Sequence, residues 1–331
     1  MTAVTRTSAR ASATTGNAIE VTGLRKSYGD HPVLRGLDLT IAEGTVFALL
    51  GPNGAGKTTT VQILSTLIGY DDGRIRVAGH DPATEPDAVR EAIGVTGQFS
   101  AVDNLLTAKE NLLLMGDLHH LPRAEGKARA ARLLKRFDLD GAAGTYVATF
   151  SGGMRRKLDL AMGLMGDPRI VFLDEPTTGL DPRSRRDMWE IVRNLVADGV
   201  TIFLTTQYLD EADQLAGRIA VLDHGSLVAE GTAAELKRRV AGGHVLLRFT
   251  DESRLDLAAR TFGDGTRDDE ALTLQIPGDG GIRYLRALLD RIDAAALDVE
   301  ELSVHTPDLD DVFLALTGRS DAATTTKDGP E

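Results

Sequence analysis

Short segments of alternating apolar and polar residues occupy positions 18–44. Glycines at Gly29, Gly36 and Gly44 interrupt them, and alternation with a period of two is typical of strands that bury one face. We therefore predict an antiparallel β layer here. The apolar run at residues 45–50 follows directly and predicts a strand that is buried on both faces.

Two further apolar runs, residues 170–174 and 200–206, also predict buried strands. Between them, Asp181 and Pro182 are residue types that begin helices, as the N-cap and the first helical position, and Gly199 is typical of a helix end. Buried strands that alternate with helices indicate an α/β fold whose sheet is largely parallel.

Residues 105–139 follow a helical pattern instead. Thr107 and Glu110 have the spacing of a capping box at a helix N-terminus, and a second amphipathic segment follows Pro122. We predict a helical subdomain at about residues 100–165, inserted in the α/β domain.

The pattern restarts after residue 240 with alternating strand and helix segments. Strands are predicted at 244–250, 271–277 and 299–305, and helices at 253–262, 281–293 and 308–317. This order predicts a small α+β domain, with a ferredoxin-like topology. The domain limits predicted are a disordered polar tail at 1–18, the main domain at 19–240, the small domain at 241–319 and a disordered polar tail at 320–331.

Composition narrows the functional classes. The 331 residues carry a formal net charge of -12, which argues against a nucleic-acid-binding surface, and we expect no nucleic-acid partner. There is no cysteine, so a disulfide framework is excluded. No segment approaches the about 18 consecutive apolar residues of a membrane-spanning helix. Any action on a membrane would therefore need another chain to cross it.

A glycine-rich loop follows the first buried strand. Residues 51–58 match the pattern G-x-x-x-x-G-K-[ST], in which glycines let backbone N–H groups face phosphate oxygens. Lys57 would contact the β and γ phosphates, and the Thr58 hydroxyl would bind Mg²⁺. The predicted binding residues of this loop are Gly51, Pro52, Asn53, Gly54, Ala55, Gly56, Lys57, Thr58 and Thr59.

Two carboxylates end the strand at 170–174. Asp174 and Glu175 are adjacent, so their side chains should leave the strand on opposite sides and serve different roles. We predict that Asp174 faces Mg²⁺, directly or through water. Glu175 is placed to polarise the attacking water as general base or orienter.

Residues 150–154, Phe-Ser-Gly-Gly-Met, resemble the signature sequence of ABC ATPases. Other parts of that family's pattern occur in the same order along residues 19–236, namely Tyr28, the phosphate loop, Gln98, the signature, Asp174 and Glu175, Asp181, and residues 205–213. The resemblance implies a P-loop NTPase fold with an antiparallel β layer and a helical subdomain, and it implies ATP and Mg²⁺ as ligands.

Roles for several residues follow from this resemblance. It implies that Tyr28 stacks on adenine, that Gln98 touches Mg²⁺ or the lytic water, and that Asp181 reaches across a dimer. Ser151, Gly152 and Gly153 precede a helix, where a hydroxyl and free N–H groups form an anion site. In ABC proteins this signature closes over ATP bound to the other subunit, so the resemblance implies a head-to-tail homodimer.

Two positions depart from the usual family pattern. Gln207 stands where most members have a histidine, and Met154 replaces the usual signature glutamine. Gln207 is expected to contact the γ-phosphate through its amide, which carries no proton to exchange near pH 7. With the segment at 306–319, these features resemble the daunorubicin/doxorubicin-resistance group. That resemblance implies a peripheral subunit on the cytoplasmic face of the membrane, which drives a separate integral-membrane permease in drug export.

Other functional classes stay open at this point. A non-transport ABC ATPase of translation or DNA metabolism would typically carry two such domains or a coiled coil, and a catalytically weak regulatory ABC protein is conceivable because of Gln207. A P-loop kinase would not account for residues 150–154, and a GTPase would need a base-reading motif that the sequence lacks. For the small domain at 241–319 we hypothesise a role in dimer stabilisation or regulation.

Overall fold

The structure is a computed structural model that describes residues 16–97, 101–239, 243–278 and 280–317. The chain divides into two compact units, with the boundary between Thr232 and Ala233. The strands of the first unit are β1 (Asn17–Tyr28), β2 (His31–Ala42), β3 (Val46–Leu50), β4 (Asp72–Val77), β5 (Ile93–Thr96), β6 (Ile170–Asp174), β7 (Thr201–Thr206), β8 (Arg218–Asp223) and β9 (Ser226–Gly231). Its helices are α1 (Lys57–Leu64), α2 (Pro86–Ala92), α3 (Ala108–Leu118), α4 (Arg123–Arg136), α5 (Gly152–Gly163), α6 (Pro182–Ala197) and α7 (Leu209–Leu215).

The first three-stranded sheet is antiparallel and has the strand order β2-β1-β4. Its strands alternate as predicted: Ile19 and Val21 are buried, whereas Glu20 between them is exposed. Strand β4 was not predicted, because its sequence Asp-Gly-Arg-Ile-Arg-Val offers only two apolar residues.

The central sheet has the order β5-β6-β7-β3-β8-β9 and is parallel except for the β8–β9 pair. Strands β3, β6 and β7 are buried at every position, as their continuous apolar runs predict. Phe203 lies in the middle of this core, with ring centroids 5.7 Å from Phe47 and 5.5 Å from Phe172. Because adjacent parallel strands end at one edge, the segments after β3, β6 and β7 are brought together there.

The predicted helical subdomain consists of α3, α4 and α5. Thr107 accepts a hydrogen bond from the Glu110 backbone N–H, and the Glu110 side chain accepts one from Thr107 N–H, so the predicted capping box is confirmed. Helix α6 begins as predicted, with Asp181 as N-cap and Pro182 as its first residue. Gly199 follows the end of that helix with φ 88°.

The second unit contains a four-stranded antiparallel sheet of order β11-β12-β10-β13. Its elements are α8 (Ala233–Lys237), β10 (His244–Arg248), α9 (Glu252–Thr261), β11 (Thr266–Asp268), β12 (Thr273–Pro277), α10 (Ile282–Ala294), β13 (Glu301–His305) and α11 (Leu309–Thr317). The βαββαβ order from β10 to β13 is the predicted ferredoxin-like topology. Strand β11 was missed because three largely exposed residues carry no periodic signal.

Within the described parts of the chain, every helix is too short or too polar to span a lipid bilayer.

Candidate active site

The phosphate loop lies between β3 and α1, and glycine is required at several of its positions. Gly54 and Gly56 have φ values of 81° and 110°, in the left-handed region that disfavours side chains. A Cβ atom on Gly51 would lie 2.3 Å from the Leu222 carbonyl oxygen, where no side chain fits. The backbone therefore turns sharply here and directs the start of α1 at the loop, which is the arrangement that binds phosphate.

A cleft of about 500 Å³ opens over this loop. It is lined by Glu175 and Thr178 after β6 and by Gln207 after β7. The lining residues of the loop itself are Pro52, Asn53, Gly54, Gly56, Lys57, Thr58 and Thr59. Gly51 and Ala55 are buried. The site therefore forms where three neighbouring strands end, as the order of the parallel sheet requires.

Lys57 is held at the inner side of the cleft with only 5 % of its surface exposed. Its ammonium donates hydrogen bonds to the carbonyls of Gly51 at 2.8 Å and Pro52 at 3.2 Å, and it lies 3.7 Å from Glu175 Oε1. Burial lowers the pKa of Lys57, while the charges of Glu175 and Asp174 oppose that shift. The cation is thus desolvated and held in position before a phosphate arrives.

Asp174 is buried at the end of β6 and receives two threonine hydroxyls. Thr58 Oγ1 donates to Asp174 Oδ2 at 3.1 Å, and Thr205 Oγ1 donates to Oδ1. Oxygen donors of this kind are the ligands that Mg²⁺ prefers, usually one or two carboxylates with a hydroxyl and the substrate's phosphates. The pair formed by Thr58 and Asp174 therefore fits a magnesium ion at the loop.

Glu175 follows the last residue of β6 and lines the cleft. Its φ is +47°, a conformation that costs energy for a residue with a side chain and that clusters at functional sites. The backbone N–H of Glu175 donates to Thr205 O at 3.0 Å, and its Oε2 accepts from Thr178 Oγ1 at 3.2 Å. The carboxylate thus faces Lys57 and the loop, while its neighbour Asp174 accepts hydrogen bonds from the hydroxyls of Thr58 and Thr205.

The signature residues lie at the N-terminus of α5. Ser151 is the N-cap and accepts a hydrogen bond from the Met154 backbone N–H at 3.2 Å. Ser151 and Gly152 are exposed, and neither they nor the buried Gly153 line the phosphate cleft of their own chain. The N-terminus of α5, where backbone N–H groups lack helical partners, therefore lies outside the cleft that would hold ATP.

Ser184 connects Asp181 to the signature, because it lies next to Gly153 and hydrogen-bonds to Asp181. A Cβ atom on Gly153 would lie 2.6 Å from Ser184 Oγ, and Ser184 Oγ donates to Asp181 Oδ2 at 2.6 Å. Asp181 also accepts from the backbone N–H groups of Ser184 and Arg183, and the Ser184 hydroxyl makes the largest contribution to lowering the pKa of the Asp181 carboxyl. The sequence pattern did not single out Ser184.

The remaining predicted residues differ in their relation to the cleft. Tyr28 lies at the end of β1 with 49 % exposure, and its ring centroid is 5.4 Å from Lys26 Nζ. From the β layer, Val33 lines the cleft instead. Gln207 lines the cleft and is exposed. Gln98 lies outside the described residues.

A buried ion pair behind the site escaped prediction. Arg156 and Asp159 are three residues apart on the buried face of α5, with Arg156 Nη1 donating to Asp159 Oδ2 at 3.2 Å. A pair of opposite charges on the apolar face of a helix is the signal that could have revealed them. Glu211 on α7 is also fully buried, beside Trp189, whose indole N–H lies 3.4 Å from Glu211 Oε1.

Comparison with known protein families gives a match to the model described as ABC transporter over residues 34–178. The chain is 48% identical to the daunorubicin resistance ATP-binding protein DrrA3 of Streptomyces coeruleorubidus, over 91% of this chain and 96% of that protein. It is 38% identical to the Nod factor export ATP-binding protein I of Rhizobium sp. (strain N33), over 91% and 97% of the two chains.

Two solved structures have a similar fold. An ATP-binding subunit of an ABC transporter has a TM-score of 0.61 and 29% identity, covering 67% of this chain and 92% of its own. The ATP-binding cassette MJ0796, in a dimeric post-hydrolysis state bound to ADP and Pi, has a TM-score of 0.59 and 26% identity, covering 65% and 98%.

Proposed function

The chain belongs to the ABC transporter family, in the group of daunorubicin/doxorubicin-resistance ATP-binding proteins, and we propose that it powers drug or antibiotic export through a separate permease. As an ATP-binding and ATP-hydrolysing subunit of an exporter, it needs a site for the triphosphate and a group that activates water. The observation that carries the proposal is the meeting of Lys57, Thr58, Asp174 and Glu175 around one cleft.

ATP binding is assigned to the loop at residues 51–59. Backbone N–H groups and the N-terminus of α1 attract the phosphates, and Lys57 exchanges its carbonyl partners Gly51 and Pro52 for β and γ oxygens. Thr58 and Asp174 would hold Mg²⁺, which neutralises charge on the phosphates when it is bound. Gln98 is proposed as a further ligand from the family resemblance.

Glu175 is proposed as the group that orients and polarises the attacking water. Its backbone is fixed by Thr205 and its carboxylate by Thr178, so the acid is held at the cleft without nucleotide. Gln207, which also lines the cleft, would donate its amide N–H to the γ-phosphate, which requires no proton exchange. Turnover therefore rests on Glu175.

The second half of each site comes from another copy of the chain in this proposal. Ser151 and Gly152 are exposed at a helix N-terminus that does not line the chain's own cleft, so they are free to face ATP held by a partner. Asp181, also exposed, would meet the same interface. The dimeric state of the similar cassette MJ0796 supports a homodimer.

The export direction and the drug class are supported by the names of similar proteins, which include daunorubicin, doxorubicin and linearmycin resistance ATP-binding proteins. We place the chain on the cytoplasmic face of the membrane, where it reaches both ATP and a permease. The similarity covers 91% of this chain for each of these proteins, so it includes the second unit.

The test uses inside-out vesicles that contain the chain with the membrane protein encoded beside its gene. ATP should drive uptake of a fluorescent anthracycline, and the Glu175→Gln variant should abolish uptake while leaving the complex assembled. ATPase activity without anthracycline uptake would overturn the proposed drug class but would leave the assignment as an exporter subunit standing. Absence of ATPase activity in the assembled parent would overturn the proposed function, and uptake at the parental rate in Glu175→Gln would overturn the assignment of Glu175.

A further inference from the structure

Arg156 is a buried cation that the proposed chemistry does not use. It lies on α5, only 8% exposed, and its guanidinium makes four hydrogen bonds. Three of the four acceptors are backbone carbonyls and one is Asp159. A buried arginine with several carbonyl partners fixes the chain segments that supply them, since its planar group presents donors in set directions.

Two of these carbonyls flank Glu175. Arg156 Nη2 donates to Asp174 O at 3.1 Å, and Nε donates to Pro176 O at 2.9 Å. One rigid group therefore holds the peptide unit that precedes Glu175 and the peptide unit that follows Pro176, so it fixes the backbone on both sides of the residue with φ +47°. An unfavourable backbone angle persists only where its surroundings impose it, and Arg156 is the side chain that grips both neighbours.

The other two acceptors lie away from Glu175. Arg156 Nη1 donates to Gly97 O at 2.7 Å and to Asp159 Oδ2 at 3.2 Å, while Asp159 Oδ1 accepts from the backbone N–H of Ala101 at 3.0 Å. The ion pair thus joins α5 to the segment after β5 as well as to the end of β6. Burial lowers the pKa of Arg156 and raises that of Asp159, as expected for a pair removed from water.

The same helix carries the signature. Ser151 caps α5 and Arg156 lies about one and a half turns further along it. A displacement of α5 as a rigid helix therefore moves Arg156 together with the signature N-terminus. Because Arg156 holds Asp174 O and Pro176 O, that displacement is transferred to the backbone of Glu175.

We propose that Arg156 is a positioning residue that couples the signature helix α5 to Glu175, so that docking of the partner's ATP on Ser151 and Gly152 sets the geometry of the chain's own water-activating acid. This inference rests on the proposed function, in which the signature binds nucleotide held by another copy. Within each subunit, helix α5 and the Arg156 side chain would then connect the signature, which contacts ATP held by the partner, to Glu175, which acts on ATP in the subunit's own cleft.

The test compares Arg156→Gln/Asp159→Asn with Asp159→Asn alone, because removing the arginine by itself would leave a buried carboxylate unpaired. We expect kcat for ATP to fall at least tenfold in the double variant, with KM within twofold of the Asp159→Asn parent. Arg156→Lys keeps the charge but cannot reach all the carbonyls, and a fivefold or larger loss of kcat is expected there. Lys157→Gln, the neighbouring cation on α5 paired with Asp187, is the control and should retain the parental kcat.

A second readout separates positioning from binding and folding. In a Glu175→Gln background, the Arg156→Gln/Asp159→Asn variant should still dimerise with ATP, measured by size-exclusion chromatography. Loss of that dimer, or a double variant as fast as Asp159→Asn, would overturn the inference. If the double variant does not fold, Arg156→Lys decides alone, and a parental kcat in that folded variant overturns the inference. A parent chain with no ATPase activity would instead overturn the proposed function.

Discussion

Lys57 Nζ and Glu175 Oε1 face each other 3.7 Å apart across the base of the phosphate cleft. Both side chains are largely buried, at 5% and 10% exposure, so solvent screens their attraction only weakly. An incoming γ-phosphate adds negative charge next to the Glu175 carboxylate and competes with it for the same ammonium. The pair therefore opposes binding slightly while placing the acid beside the phosphate that is to be attacked.

This relationship predicts the behaviour of Glu175→Gln. Hydrolysis should fall by a factor of about 100 or more, because the group that polarises water is lost. ATP affinity should stay equal or rise, because Lys57 loses a competing carboxylate. Phosphate release and fluorescent-nucleotide binding measure the two effects. The exposed Glu91→Gln on α2 is the matched control. Hydrolysis at the parental rate in Glu175→Gln would remove Glu175 from the mechanism.

Much of this site was predictable because its parts follow strands with long apolar runs. β3 and β6 are apolar up to their ends and β7 is apolar between its terminal threonines, so the sequence pattern located the segments that follow them, and the family resemblance then singled out Gln207. The rule that parallel strands end at one edge then placed them together. The second unit was predictable for a similar reason, since β10, β12 and α10 carry clear periodic patterns.

The partners that hold the site were not predictable in the same way. Arg156 and Asp159 are charged residues on a helix, and charges on helices usually face solvent; only the packing of α5 against the end of β6 buries them. Tyr28 illustrates the opposite case, because its role depends on the position of adenine rather than on the strand that carries it. Contacts made between distant segments leave no local pattern in the sequence.

Because Gln207 stands where most family members have a histidine, we predict that the pH dependence of kcat shows no histidine titration from this position. Since an amide does not titrate near neutrality, Gln207→His should keep turnover within a few-fold of the parent but add an inflection near pH 6.5. Gln207→Ala, which removes the donor, should lower kcat by about tenfold, the effect of losing one hydrogen bond to a charged group. The measurement is kcat between pH 5.5 and 9. An inflection near pH 6.5 in the parent that Gln207→His leaves unchanged would contradict this.

Because the Glu211 carboxyl is buried, we predict that the free energy of unfolding depends on pH. Burial raises its pKa, with the hydroxyls of Thr206 and Thr177 offsetting part of the shift. The folded chain therefore binds more protons than the unfolded chain between the ordinary glutamate pKa and the raised one, so stability falls as pH rises through that window. Glu211→Gln removes this dependence. As pH rises through that window, the free energy of unfolding of the variant should increase relative to that of the parent by up to about 1.4 kcal/mol per pH unit.

Melting temperatures of the parent and Glu211→Gln across the acid-to-neutral range test this linkage. The exposed Glu190→Gln on α6 is the control, and its difference from the parent should be flat with pH. A difference for Glu211→Gln that is equally flat would show that the carboxyl titrates alike in the folded and unfolded chains.

Gly152 allows the signature to be disabled without disturbing the fold. The nearest atom to a Cβ atom placed on Gly152 is Leu180 Cδ2 at 3.9 Å, so a side chain fits. An aspartate in the first turn of α5 is also favourable for the helix, because it opposes the positive N-terminal dipole. Its charge would nevertheless repel a phosphate held by a partner subunit.

Mixing two inactive variants therefore tests the head-to-tail dimer. Gly152→Asp lacks a usable signature and Lys57→Ala lacks a usable phosphate loop, so neither should hydrolyse ATP alone. A mixed dimer contains one site with both halves intact, and an equal mixture should recover about a quarter of the parental rate, since half of randomly paired dimers are mixed. Gly152→Asn adds the same shape without charge and should lose less activity than Gly152→Asp. If loop and signature served one ATP within a single chain, the mixture would stay as inactive as its components.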